Sequence, residues 1–526
     1  MAESIARQAT PNIGARRPRN FAYLFSLLPY CPMLTLDQIV ERLKAIAGPR
    51  RVSTNPIDKI NYQHTLAYGA YRALPDVIVR VESDAAGNHP VAEILKFANE
   101  HKIPIVAKGG VGMGISSPLK GGVLLDMLGM DKIIEVNPTL QYIIAEGGAS
   151  VYAIHHALRK HGLMLPNFGT YGPAVVIGAM VNKGGIGYGM TRYGWIADMV
   201  LGLEVILASG ETIRLGALAN QGTTFGPFQK WIHLPDLLGL FTLAAGSLGI
   251  ISKVCLRAIE GRREWLHDYC YSFRRDQLAN VQNALMDLVR GEVVYDIHFT
   301  DRWQYHWPME DGLYDQQKIP DDAWFFLKTV LMARDSEELA FKEKRMRRIY
   351  HDAGGVDVPE IAEKAMGAGA QAHGLHGWPD WHIMGPDGWC GSVARHSGMF
   401  AVTSKMYPLT FLKEMYDLDE AAKRESGLWD AEHSPQHDSY VTRDLAIKEE
   451  YFVFYNPYDE QDVGKLRKWM GLVQQFSNER GVVWTAPTLS TKGPLPYQRL
   501  GGLYGLVKEI KQLVDPNHIL NPGALC

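Results

Sequence analysis

The sequence predicts an α+β protein of two domains, the second inserted into the first. Three observations lead there. The chain has 526 residues, more than one ordinary hydrophobic core accommodates. From about Leu36, short apolar runs alternate with amphipathic helical patterns, the signature of strands and helices sharing one core. From Arg262 to Tyr440 the texture changes: Trp, His and Met become frequent, as in Trp378-Pro-Asp-Trp381-His382, and a long polar helix is predicted over Asp335 to Asp352. The domains expected from this are an N-terminal arm (1–34), a first domain (35–261), an inserted domain (262–440) and a C-terminal part (441–526) that completes the first.

The elements follow in order. Asp76-Val-Ile-Val-Arg-Val81 reads as a buried strand, and Val91, Ile94, Leu95 and Ala98 share one face of the helix after it. Ile103-Pro-Ile-Val-Ala107 is a second strand that runs into a glycine-rich loop. Val123 to Asp126, Gln141 to Glu146 and Met199 to Ala208 are further strands, with a helix over Val151 to Lys160. Near the C-terminus, Tyr451-Phe-Val-Phe-Tyr455 is a strand. Leu503, Leu506, Val507, Ile510, Leu513 and Val514 form an apolar stripe on a last helix.

Composition narrows the function classes. With 46% apolar and 21% charged residues and a formal net charge of −3, the chain belongs with soluble globular proteins and has no basic surplus for nucleic acid. Five scattered cysteines (Cys31, Cys255, Cys270, Cys390, Cys526) make neither a disulfide framework nor a zinc site, and they fit the reducing cytoplasm. The apolar stretch Phe21 to Leu28 is far shorter than the roughly 20 residues that span a bilayer. It is expected to pack on the body or on a second subunit of a homo-oligomer.

The chemistry lies in the glycines. Lys108-Gly-Gly-Val-Gly-Met-Gly114 lets successive backbone N–H groups turn toward an anion, as a phosphate nest requires. It is not a Rossmann fingerprint, because a strand rather than a helix follows. Gly172-Pro-Ala-Val-Val-Ile-Gly178, Asn182-Lys-Gly-Gly-Ile-Gly-Tyr-Gly189 and Ala245-Gly-Ser-Leu-Gly-Ile-Ile251 extend the pattern. Glycines so distributed suit a long dinucleotide lying along backbone, where a Cβ would intrude.

In their order, these segments resemble the flavin domain of the vanillyl-alcohol oxidase and p-cresol methylhydroxylase superfamily. The matching stretches are Pro75-Asp-Val-Ile-Val, Ala98 to Pro104, the loop at Gly109, Gly178 to Gly185, Tyr193-Gly194 with Gly202-Leu-Glu-Val205, Leu248-Gly-Ile-Ile251 and Asp515-Pro-Asn-His-Ile-Leu-Asn-Pro-Gly523. The resemblance implies a p-cresol methylhydroxylase-type FAD domain formed by both chain ends, with the insert as a cap over the isoalloxazine ring. It implies that Lys108, Gly109, Gly110, Val111, Gly112 and Met113 hold the pyrophosphate. Gly172, Gly178, Asn182, Gly184, Gly185, Gly187, Gly249, Ile251 and Asn521 would line the rest of the FAD.

Phe225-Gly-Pro-Phe228 and Thr442-Arg443-Asp444 resemble the phenol-oxidising branch. There an arginine at the place of Arg443 stabilises the substrate phenolate, and a fixed cation in a dry pocket favours that anion. Met113 stands where that branch has a tyrosine, and Asn167 stands where it has an acid; Asn can hydrogen-bond but cannot act as a base. Tyr440 and His396 complete the expected catalytic set. FAD is expected to be non-covalent, because the first glycine loop has no histidine and Met399 takes the linking position of the single-histidine relatives. The expected activity is hydride transfer from a para-substituted phenol or aromatic alcohol to flavin N5. A separate cytochrome or another acceptor would take the electrons, because the chain has no Cys-x-x-Cys-His.

Two alternatives stand beside this one. Asn182-Lys-Gly-Gly185 and Tyr193-Gly194 also resemble the D-lactate and glycolate dehydrogenases. The chain lacks their His-x-Gly-Asp-Gly-Asn segment, and the spacing of His373, His376 and His382 suits a metal poorly, so no metal is expected. A flavin-fold assembly subunit without chemistry is the alternative of another class.

Overall fold

The computed structural model describes residues 34–60, 62, 74–110, 118, 120–169, 174–185, 187–232, 234–261, 266–302, 315–366, 400–429, 436–456, 458–484 and 500–525. The arm expected over 1–34 lies outside them except for its last residue.

Three sheets carry the architecture. The first has four strands, in the order Val52–Ser53, Val77–Glu82, Val123–Gly129, Ile105–Lys108, of which the last three run parallel. Parallel strands are covered on both faces and read as continuous apolar runs, as Val77-Ile-Val79 does. The crossover helix Val91–His101 buries Val91, Ile94, Leu95 and Ala98, the face the spacing predicts. The second sheet is antiparallel, in the order Thr212–Gly216, Val200–Ile206, Ile250–Arg257, Tyr142–Glu146, Ile133–Asn137. The helix Val151–Arg159 packs on it, started by Ser150, whose hydroxyl accepts the Ala153 N–H at 3.1 Å.

The inserted domain is an eight-stranded antiparallel sheet. Its order is Val356–Asp357, Leu266–Phe273, Phe325–Met332, Asp296–Asp301, Gln436–Val441, Ala446–Phe454, Phe400–Pro408, Val483–Trp484. Strand side chains alternate between faces. Ile297, Phe299, Leu327, Val441, Tyr451 and Val453 therefore fall together in one core with residues of helices Leu278–Arg290, Leu412–Ser426 and Glu460–Arg480. On the other face, Tyr295 and Val330 join the core of the second sheet.

The expected boundary at residue 440 falls inside this sheet. Val441 pairs with Ile447 across a tight connection in which Thr442 N–H donates to Ala446 O at 2.8 Å and Leu445 adopts a φ of +57°. A hairpin cannot be divided between two sheets, so the strand after residue 440 stays with the insert. The return to the first two sheets comes after Trp484.

That return is made by helix Gly502–Val514 and the segment behind it. Ile510 and Val514 pack on the core of the second sheet, and Ile519 and Leu520 enter the core of the first. Ile105 N–H donates to Ile519 O at 2.7 Å, and Asn521 N–H donates to Ile105 O at 2.8 Å. The apolar stripe of this helix is only partly used, because Leu503, Leu506 and Leu513 are exposed. The buried helix residue is instead Lys511, whose ammonium donates to Ser247 O and Leu520 O and pairs with Asp515.

Candidate functional site: a glycine seam under a polar sheet face

Most of the expected cofactor residues that are described meet along one seam. A Cβ on Gly110 would stand 1.6 Å from Ala174 O, and one on Gly178 would stand 2.8 Å from Gly147 O. The backbones of 108–110, 147–149 and 174–178 thus touch directly, and their edges rather than side chains line the seam. Gly178 N–H donates to Gly147 O and Gly147 N–H to Ser252 O, both at 2.8 Å, which ties Ile251 to the same place. Helix Ile177–Lys183 ends at Gly184, whose φ of +70° a side chain would strain. Asn182 Oδ1 accepts the Gly246 N–H at 2.8 Å, and the Asn521 amide donates to Ala245 O at 2.5 Å. Asn182 and Asn521 therefore fix the 245–247 turn from both sides. Gly249 packs on Val205, and Gly187 pairs with Gly169.

Lys108 faces Tyr62 and Asp126. Its ammonium lies 5.3 Å from the centre of the Tyr62 ring, beside Asp126, to which Tyr62 donates at 2.6 Å. Burial lowers its pKa, and Asp126 partly offsets the shift. Val111, Gly112, Met113, Gly172 and His396 lie outside the described residues.

Asn167 is fully buried between the seam and the inserted sheet. Its Nδ2 donates to Gly194 O at 2.8 Å, while its Oδ1 has no hydrogen-bond partner among the described residues. A buried amide oxygen left unsatisfied is costly, so Asn167 Oδ1 is open to a donor that the described residues do not supply. Phe168, the next residue, pairs in register with Tyr188.

The face of the inserted sheet turned toward this seam is buried yet polar. Register places Lys328, His298, Tyr440, Lys448 and Met406 as successive cross-strand neighbours, forming one row. The His298 ring stacks on Tyr440 with centroids 4.8 Å apart, and the Tyr188 ring meets both edge-on, at 5.9 and 6.0 Å. Lys448 forms an ion pair with Glu450 and lies 5.9 Å from the Tyr440 ring centre. Asp296 Oδ1 accepts the Gly189 N–H at 2.8 Å, and burial lifts this carboxyl to about 7, with Gly189 and His298 pulling the other way. Lys183 is the last residue of the seam helix Ile177–Lys183. Burial brings its ammonium down to about 8, with Glu450 opposing that shift and Lys448 adding to it.

Tyr440 therefore stands in the middle of the row. Arg443 stands at the rim: it is about half exposed, its guanidinium 3.4 Å from Asp198 and 3.4 Å from Tyr193 O, with Asp444 at 3.8 Å. There it ties the Gly194 turn to the hairpin, and its backbone N–H donates to Met190 O. His298, Lys328, Lys448, Glu450, Asp296, Lys183 and Tyr188 were not expected as site residues. Their signal is in the sequence nevertheless: in Asp296-Ile-His-Phe-Thr-Asp301, polar residues take every second position of a strand that is buried on both faces.

On the opposite face of the sheet, Asp419, His437 and Glu449 bring potential metal-ligand atoms within 4.8 Å of one another. The cation position among them belongs to Lys405, whose ammonium donates to both oxygens of Asp419 at 2.6 Å and pairs with Glu449 at 3.0 Å.

Residues 75–216 match the FAD_binding_4 family, the FAD binding domain. The chain is 27% identical over 229 residues to the glycolate oxidase subunit GlcD of Bacillus subtilis, covering 43% of this chain and 46% of that protein. It is 33% identical over 169 residues to the 4-cresol dehydrogenase [hydroxylating] flavoprotein subunit of Pseudomonas putida, covering 31% and 32%. These matches span less than half the length of either relative. A D-lactate dehydrogenase of Anaerostipes hadrus is 24% identical over 518 residues, 93% of this chain and 97% of the relative. The solved structure of p-cresol methylhydroxylase with substrate bound superposes with a TM-score of 0.74 at 20% identity, over 93% of this chain and 96% of that one. The α+β fold is the p-cresol methylhydroxylase type, and FAD is the cofactor. Two features of the seam fit it: close backbone approach at Gly110 and Gly178, where a Cβ would collide with Ala174 O and Gly147 O, and the unsatisfied oxygen of Asn167. Among the described residues, no helix is long and apolar enough to cross a membrane.

Proposed function

We propose that this FAD-binding protein is an oxidoreductase that takes a hydride from a small phenol or aromatic alcohol held between the flavin and the polar face of the inserted sheet. The observation that carries this reading is the buried cluster of Tyr188, Tyr440 and His298. Two tyrosine rings form flat walls for an aromatic substrate, and their hydroxyls supply polar ends. His298 lies next but one to Asp296 on the same face and is placed to accept the substrate's hydroxyl proton. The row's ammonium groups favour the oxyanion that results. Asn167 Oδ1 accepts from the cofactor edge or the substrate and so sets their mutual orientation. FAD, when bound, supplies the hydride acceptor at N5. A separate electron carrier then reoxidises the protein.

A second reading is oxidation of a D-2-hydroxy acid. It is favoured by the lysines of the polar face, which suit a carboxylate, and by the D-lactate dehydrogenase match along nearly the whole chain.

The test is anaerobic reduction followed in the visible spectrum. Addition of 4-methylphenol is expected to bleach the flavin of the purified protein, and D-lactate is expected to leave it oxidised. Bleaching by D-lactate alone would replace the aromatic reading with the second. If supplied FAD gives no bound flavin spectrum, neither reading survives.

A further inference from the structure

On the helix side of the inserted sheet, behind the polar row, three charged side chains meet with no exposure to solvent. They are Lys405 of strand Phe400–Pro408, Asp419 of helix Leu412–Ser426 and Glu449 of strand Ala446–Phe454. The Lys405 ammonium lies 2.6 Å from each Asp419 oxygen and 3.0 Å from Glu449. A nitrogen equidistant from both oxygens stands about 3 Å from the carbon between them, the separation of a near-attack conformer. The Phe476 ring lies 5.0 Å from the ammonium, and Tyr416, Tyr451 and Trp469 of the surrounding core are buried as well. Burial and the Glu449 carboxylate push the Asp419 carboxyl well above its ordinary range. Burial opposes charge at Glu449 too, but Lys405 outweighs it and holds that carboxyl below its ordinary range. Asp419 is thus the carboxyl that takes up a proton, and Glu449 is the one that stays an anion. At Lys405 burial again opposes the charge, and the two carboxyls outweigh it, so the resting group is an ammonium. Keeping such a pair is costly, because the desolvation of both partners offsets their attraction. Condensing them removes both charges.

We propose that Lys405 and Asp419 are joined by an intramolecular amide bond, formed with Glu449 as the proton carrier. Lys405 gives one proton to Asp419, and its freed lone pair attacks Cγ to form the C–N bond. Glu449 takes a second proton from the nitrogen and passes it to the departing Asp419 oxygen. The C–O bond breaks and water leaves. One ammonium and one carboxylate become one neutral amide, Glu449 ends as it began, and no oxidant or co-reactant is consumed. Tyr407, whose hydroxyl donates to Glu449, holds that carboxylate in place. The bond pins helix Leu412–Ser426 to the sheet directly behind the polar row, of which Met406, the residue after Lys405, is a member. It does not depend on which substrate the protein oxidises.

The experiment is mass spectrometry of the purified protein beside Lys405→Met, Asp419→Ala and Glu449→Gln. The denatured wild type is expected to weigh one water less than its sequence, and each variant to keep its full sequence mass. After tryptic digestion of the wild type, residues 396–413, uncut at Lys405, should appear joined to 414–423 as one branched peptide. Fragmentation should place the branch between Lys405 and Asp419. Separate wild-type peptides 396–405 and 414–423, both at full mass, overturn the bond. Because that outcome is read on the wild type, a variant that fails to fold leaves the test intact. A branched peptide from Glu449→Gln at the wild-type yield overturns Glu449 as the proton carrier.

Discussion

Asp296 shows how one residue at the junction sets a pH response. Its carboxyl is buried against Gly189 N–H, and burial lifts its pKa from the ordinary 3.8 to about 7. Between those values the folded protein holds a proton that the unfolded chain releases. Stability present below pH 4 is therefore lost as pH rises through 7, by up to about 4 kcal/mol. Asp296→Asn keeps an Oδ1 acceptor for Gly189 and removes the titration. Urea midpoints measured from pH 4 to 8 should fall with pH in the wild type and stay nearly level in the variant; parallel curves would contradict this. Lys183 has the opposite sign. Its depressed pKa means that the cost of burying its charge is fully present below about pH 8 and fades between there and its ordinary 10.5.

At the scale of elements, legibility followed locality. The strand over 77–82 and the helix over 91–101 came from runs and spacings contained within each segment, and the expected apolar face of that helix is the one buried. The strand Asp296–Asp301 was missed because its alternation looks like a solvent-facing edge until seven other strands and the docked segment 187–193 cover it. The boundary at 440 failed for a related reason: a change in composition does not reveal a hairpin. The docking segment itself depends on backbone fit. Thr191 Oγ1 donates to Val441 O at 2.8 Å and accepts the Ile297 N–H at 2.9 Å, and Gly189 turns beneath them with a φ of +94°. A Cβ on Gly189 would stand 2.0 Å from Pro166 O and would also meet the Tyr295 hydroxyl. Gly189→Ala is therefore expected to cost about 2–3 kcal/mol or more and to loosen the sheet from the seam. Thermal unfolding together with proteolysis at the 187–193 segment checks this; a melting temperature within about 2 °C of the wild type would refute it.

Over the whole molecule, the seam was legible and the polar face was not. Glycines announce a close approach whatever lies across from them, so a list of positions along the chain was enough to suggest a nucleotide trough. The row from Lys328 to Met406 exists only once strands far apart in sequence have paired, and no local pattern encodes that register. The closing of the trough depends on equally distant partners. Lys511 holds Ser247 O at 2.7 Å and Leu520 O at 2.9 Å, while Asn521 holds Ala245 O. Lys511→Met removes the ammonium that anchors the 245–247 turn and is expected to raise the dissociation constant for FAD about tenfold, the loss of one to two buried charge-assisted bonds. Flavin fluorescence released on dilution measures it, and unchanged retention would show that the turn does not depend on this anchor. These contacts also impose an order on biosynthesis. The strand at Ile105 leaves the ribosome some four hundred residues before Ile519 and Asn521, its partners in hydrogen bonding, have been made. That side of the seam thus stays open until residues 519–521 have been made, and no shorter nascent chain can close it.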